Sequence, residues 1–229
     1  MGEVWIGEKM STYLIHSCEK RYWYVRDYLV PSMIKQGIKE EDIIVDNDDK
    51  KQGCLMSYIK SFDKIGTTLD GTWHLQDDVL ISSDFKEMTE KYDNGVVCGF
   101  CSFYSNDVPA GVRPVQDMWY SFPCIRIPNV IFKGFIDWVT SKKIQKEYHV
   151  YIKDNKFVDL LFRKYVLSTY KDRTVRNLCP NIVENVDFLL GGSVINYIRN
   201  DQPSSLYFDE QNLVEELKHS LENTVYKQK

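Results

Sequence analysis

Two adjacent carboxylates, Asp77 and Asp78, close an apolar run within residues 72–85, TWHLQDDVLISSDF. At the carboxyl end of a strand such a pair lies at the mouth of an open α/β sheet, where ligands bind. Hard oxygen ligands there suit Mg²⁺ or Mn²⁺, whose other partners are phosphate oxygens. The chemistry to expect is a metal–diphosphate site. Other reactive groups stand where strands should end: His16 and Ser17, then Arg21, and Asp46 in the cluster Asp46-Asn47-Asp48-Asp49. Arg21 also fits an exposed helix position, and Asp46 a turn or cap. Asp154, in YIKDNKFVDLLF, has the chemistry of a general base and equally of a helix N-cap, with Asp159 and Asp117 as further carboxylates of that kind. Gly191-Gly192-Ser193 offers either backbone amides to a phosphate, with Ser193 capping a helix, or an ordinary tight turn.

These groups need elements to hold them. Residues 11–17, STYLIHS, have the make-up of a buried strand, and 19–35 places Tyr22, Val25, Leu29 and Met33 at helical spacing, with Pro31 expected to end or kink that helix near Val30. Residues 42–45, DIIV, are the second strand. A helix follows from Gly53, carrying Leu55, Met56, Ile59 and Phe62 on one side, with Gly66 as its stop. Residues 72–75 form the strand that delivers the Asp pair, and 82–91 a short helix capped by Ser82 or Ser83. Beyond it come a strand at 96–104, a Pro- and Gly-punctuated loop at 105–116, a strand at 122–127, and helices at 130–140 and 156–169. In 209–229, Leu213, Leu217 and Leu221 recur every four residues, a stripe that packs back on the domain or pairs with a partner chain. The early order strand–helix–strand–helix–strand specifies a parallel sheet with right-handed crossovers.

At 229 residues and 43% hydrophobic composition the chain can bury a large core. With 29 basic against 33 acidic residues, a net charge of −4 gives no general reason for sequence-independent nucleic-acid binding. A weak basic stretch remains at Lys142, Lys143, Lys153, Arg163, Lys164 and Arg173, which a solvated helix face also explains. No run of about 18 apolar residues predicts a membrane span, and VWI near the start is too short for a signal peptide. Six cysteines in a core-rich chain fit a reducing, cytoplasmic setting. Cys98 and Cys101 form a CxxC inside a strand-like run, so buried core thiols are expected there.

The strand LIHS with its Arg-containing helix, the acidic end of DIIVDNDD, the 53–62 helix, HLQDDVLIS and PNIVENVDFLLGGSVIN together resemble nucleotide-sugar glycosyltransferases of the GT-A fold. The similarity extends in particular to small glycosyltransferase-like proteins of phages and prophages, whose setting would be the host cytoplasm. It covers roughly residues 11–200. The resemblance implies an α/β, GT-A-like mixed and mostly parallel sheet flanked by helices, with a helical C-terminal tail. It divides the chain into one domain over 1–205, with a donor half near 11–95 and an acceptor half near 96–205, and a tail at 206–229. It implies transfer of a sugar from a nucleotide-diphosphate donor, UDP-sugar favoured, to an acceptor hydroxyl on a modified DNA base, a glycan or a protein. Mn²⁺ or Mg²⁺ would be held by Asp78 with Asp77, and late in the chain by Asn185 or Asp187 where relatives often carry His. His16, Ser17, Arg21, Asp46 and the Gly191–Ser193 turn would line the donor, and Asp154 would be the base of an inverting reaction. Gln76 stands where related motifs often carry a third acid. The competing implication is a catalytically inactive scaffold of the same fold that binds a nucleotide or a partner.

Overall fold

Short buried strands alternating with helices lay down the centre of a seven-stranded sheet in a computed structural model that describes residues 11–65, 71–100, 111–115, 122–154, 158–169, 175–191, 208 and 210–225. Strand β1 (Thr12–Cys18) leads into a helix whose parts are α1 (Tyr22–Tyr24), a π-helical turn (Val25–Leu29) and α2 (Val30–Lys35). Then come β2 (Ile43–Asp48), α3 (Cys54–Ile65), β3 (Gly71–Gln76), β4 (Val79–Ile81) and α4 (Phe85–Lys91). The second half contributes β5 (Val97–Cys98), β6 (Gly111–Val115), β7 (Cys124–Pro128), α5 (Asn129–Thr140), α6 (Lys142–Glu147), α7 (His149–Asp154) and α8 (Val158–Thr169). It ends in β8 (Val175–Cys179), β9 (Val183–Asn185) and α9 (Gln211–Val225).

The sheet runs β2-β1-β3-β7-β5-β8-β6, and β4 pairs with β9 in a separate ribbon. β2, β1 and β3 are mutually parallel, β7 is antiparallel to β3 and to β5, β8 is parallel to β5, and β6 is antiparallel to β8. Only β6 and β7 therefore oppose the common direction: the sheet is mixed and mostly parallel, and the fold class is α/β as expected.

Side-chain alternation sends β1 to both faces. Tyr13 and Ile15 join Val25, Leu29, Met33, Trp73, Leu75 and Phe85 in one apolar layer, together with Leu217 and Leu221 of α9. Leu14 points the other way, into a layer with Leu55, Tyr58, Ile125, Phe132, Phe135, Leu161 and Phe162 from α3, β7, α5 and α8. Helices thus cover both faces, the arrangement a parallel centre requires. The leucine stripe of the tail is spent on its own domain: Leu217 and Leu221 are buried, and Glu210 accepts a hydrogen bond from the Ser83 amide at 2.7 Å.

Several expectations change. Pro31 does not end its helix. Its ring crowds the carbonyl four residues back and it has no N–H to give, and the preceding turn widens so that the Val30 amide bonds the Val25 carbonyl five residues back. β2 continues to Asp48, which puts Asp46 inside the strand. The loop at 105–116 contains β6, and the strand at 96–104 is confirmed only as β5, since 101–110 lie outside the described residues. Asp154 is the last residue of α7, and the approach to α8 at 155–157 is likewise not described. Met56, placed on the buried side of α3, is exposed, and Ser57, Tyr58 and Ser61 are buried in its stead. Cys98 is buried, and Cys101 lies outside the described residues. Among the described residues no helix is long and apolar enough to cross a membrane.

Candidate functional site

From β1 the chain crosses to β2 on one side, and from β2 it crosses back over β1 to β3 on the other. The carboxyl ends of β1 and β3 therefore flank a topological switch point, where the diverging crossovers leave a crevice. The segments leaving those two ends carry Cys18 to Arg21 and Asp77 to Asp78. Asp77 Oδ2 accepts the Cys18 backbone N–H at 3.0 Å, and its Oδ1 accepts Arg21 Nη1 at 3.3 Å. The same Nη1 donates to Asp78 Oδ2. All three side chains are buried, Arg21 to 2% exposure, Asp77 to 7% and Asp78 to 8%.

A second segment reaches the same place. β4 starts directly after Asp78 and pairs with β9, Val79 opposite Asn185 and Ile81 opposite Val183. The Val186 amide donates to the Asp78 carbonyl at 2.7 Å. Asn185 and Asp187, buried to 5% and 8% exposure, are thereby fixed beside the Asp pair, with the Asp187 amide on Asn185 Oδ1 at 3.2 Å. Burial, and then the neighbouring Asp77 charge, push the Asp78 carboxyl up to about 6; Arg21 opposes this and Asp187 adds to it. Asp77 is also raised, chiefly by burial, with Arg21 and the Cys18 amide working against it.

The rim is acidic as well. Burial pushes the Cys54 thiol up to about 12, and the charges of Asp159, Asp77, Asp48 and Asp78 all reinforce that shift. Asp159 is half-buried in the first turn of α8, where burial raises its carboxyl, and its charge adds to the upward shifts of Cys54 and Tyr58. Asp154 is exposed at the far end of α7. Asp48 Oδ1 and Oδ2 accept the Gln52 and Gly53 amides, each at 2.9 Å, which holds the turn into α3.

The remaining sequence candidates are placed elsewhere or deeper. Asp46 faces α3, where Ser57 Oγ donates to it at 2.8 Å and Lys64 Nζ lies 2.5 Å away. His16 turns into the interior, stacked on Tyr58 with ring centroids 3.5 Å apart, and its Nε2 is 3.0 Å from His74 Nδ1. Ser17 is buried and donates weakly to the Cys18 carbonyl at 3.4 Å. Gly191 is exposed with φ 88°, a left-handed position that closes the Asp187–Leu190 turn. Gly192, Ser193, Asp117 and Arg173 lie outside the described residues.

Sequence reasoning passed over Tyr24, whose hydroxyl donates to the Val79 carbonyl at 3.0 Å and which feels Asp78. It also passed over Glu184, a buried acid that accepts the Asn185 amide at 2.9 Å. The alternation Ile182-Val183-Glu184-Asn185 gives no hint that an acid is interior, because the ribbon with β4 is formed across a hundred residues of chain. Cys54 and Asp48 are legible only once the end of β2 is known.

Known protein families include none whose pattern matches the chain, and no curated protein matches it. Among solved structures it is similar to the glycosyltransferase GlyE of Streptococcus pneumoniae TIGR4, with 11% identity over 96% of this chain and a TM-score of 0.36. The apo form of that protein gives 11% identity, 96% coverage and a TM-score of 0.33. The chain spans 64% of the length of those structures.

Set against a divalent ion, the donor atoms are few but suitable. Among the described residues no group of three or more His, Cys, Asp or Glu side chains is disposed to hold a metal. Mg²⁺ and Mn²⁺ do not require one at phosphate sites, where one or two carboxylates, water and the phosphate itself complete the shell. Asp78 Oδ1 is buried with no hydrogen-bond partner, and Asp187 adds a second carboxylate beside it.

Proposed function

We propose that the chain is a glycosyltransferase that takes a sugar from a nucleotide-diphosphate donor, a UDP-sugar by preference, with Mg²⁺ or Mn²⁺ at Asp78 and Asp187. The observation that carries this reading is the excess of buried negative charge at the switch point. Asp77 and Asp78 share one arginine, Asp187 stands beside them, and one oxygen of Asp78 has no partner. Such a crevice favours a cation and, through it, a polyphosphate.

When bound, the cation supplies Lewis-acid stabilisation to the departing diphosphate, whose charge grows as the glycosyl–oxygen bond breaks. The chain's own residues do the rest. Arg21 and the Cys18 amide hold Asp77 in one orientation, and Arg21 takes one oxygen of Asp78, which leaves the other without a partner. Tyr24, bonded to the Val79 carbonyl, and the Val186 amide, bonded to that of Asp78, keep β4 from shifting as charge changes. Asp159 accepts the proton of the acceptor hydroxyl as general base in an inverting transfer, a role for which burial moves its carboxyl in the useful direction.

The test is release of UDP from a panel of UDP-sugars with Mn²⁺, with and without Asp78→Asn. Metal-dependent UDP release by the folded wild type, lost in the variant, is the expected result. A folded protein that neither binds nor hydrolyses any common sugar nucleotide contradicts the reading.

A further inference from the structure

Three of the four oxygens of the carboxylate pair are already engaged. Asp77 Oδ1 takes Arg21 Nη1 at 3.3 Å, Asp77 Oδ2 takes the Cys18 amide at 3.0 Å, and Asp78 Oδ2 takes Arg21 Nη1. Asp78 Oδ1 alone of the four is buried without a partner. Arg21 is itself 2% exposed and reaches this place because it continues the buried stripe of its helix, four residues before Val25.

Building on the donor-site reading above, we propose that Arg21 is a resident counter-ion of Asp78 that excludes free divalent cation, so that the cation loads only together with the nucleoside diphosphate. A lone Mg²⁺ or Mn²⁺ would find one open oxygen from the pair and the Asp187 carboxylate, and it would sit beside a fixed positive charge. Small divalent ions shed water reluctantly, so this offer does not repay their dehydration. A diphosphate changes the balance by bringing anionic oxygens that offset the guanidinium and complete the cation's shell. Arg21 is in this account a positioning residue, and its effect is on the order and tightness of binding.

The test is a titration of Mn²⁺ followed by the EPR signal of the free ion, with and without saturating UDP. Wild type is expected to bind Mn²⁺ at least about tenfold more tightly when UDP is present. Arg21→Met, checked for native circular dichroism, frees two carboxylate oxygens and is expected to bind Mn²⁺ alone about tenfold more tightly than wild type. If that variant does not fold, the wild-type comparison alone decides. Equal Mn²⁺ affinity with and without UDP overturns the proposal, as does a folded Arg21→Met with unchanged affinity for the ion alone. Failure of UDP to bind at all, with or without Mn²⁺, overturns the donor-site reading and this inference with it.

Discussion

Arg21, Val25, Leu29 and Met33 follow one another at intervals of four on a helix whose opposite side carries the exposed Tyr22 and Trp23. That spacing draws a guanidinium into the interior, where its partners must be anionic. Asp77 and Asp78 supply them, and Asp78 has the harder environment. Asp78→Asn keeps the volume and removes the charge, so metal-dependent donor hydrolysis is expected to fall by at least about 100-fold, measured as UDP release per enzyme at saturating donor. The two base candidates separate at the same scale: Asp159→Asn is expected to lower transfer by about 10²–10⁴-fold, while Asp154→Asn, exposed at the end of α7, leaves it within about twofold.

His16 and His74 make a different residue-scale statement. Burial holds His16 at about 3 and His74 well below the usual histidine range, and the 3.0 Å contact between them requires one ring to donate and the other to accept. Both are neutral when folded and take protons on unfolding below the ordinary value of 6.5. Their folded values are depressed, so the stability they contribute is complete above 6.5 and is lost as pH falls, at up to about 1.4 kcal/mol per histidine per pH unit. Urea unfolding at successive pH values should show this acid limb, and NMR should show both imidazoles neutral at pH 5. An imidazole titrating near 6.5 in the native state contradicts the burial.

Among elements, β3 and β7 meet at a glycine where any side chain must displace the Arg126 guanidinium. A Cβ on Gly71 would come within 2.4 Å of Arg126 Cζ. Arg126 is buried, ion-paired to Asp93, and donates to the Gly95 carbonyl at 2.9 Å. Gly71→Ala forces that guanidinium off its partners and is expected to destabilise the fold by about 3 kcal/mol, read from the urea midpoint. Leu217→Ala, which empties a place in the layer shared with β1 and β3, is expected to cost about 2–3 kcal/mol.

These same elements show which signals the sequence carries. The cores of α3, α5 and α8 were legible because a period of 3.6 reports one-sided burial, and β1 and β3 because they are short apolar runs buried on both faces. β6, β8 and β9 were not: they are short strands whose partners are distant in sequence, and for β6 the Pro and Gly nearby signal a loop. Pro31, expected to end or kink its helix, does not end it, and the π-helical turn at Val25–Leu29 is the distortion that accommodates it. A proline rule assumes a regular α-helix, and a single π turn relieves it.

For the whole molecule, the consequential feature is the order β2-β1-β3 with helices on both faces, because it sets Asp77 and Asp78 at a topological switch point, where α/β sheets bind ligands. The Asp pair was visible in the sequence as a motif. Its third partner was visible only as a choice between Asn185 and Asp187, and the β4–β9 ribbon brings both to it.

The most direct test is a crystal structure with UDP and Mn²⁺, phased to reveal the anomalous signal of the metal. The account predicts a manganese peak at coordination distance from Asp78 Oδ1, with the diphosphate in the crevice between the ends of β1 and β3. UDP ordered elsewhere on the molecule, or manganese bound away from Asp78 and Asp187, contradicts it.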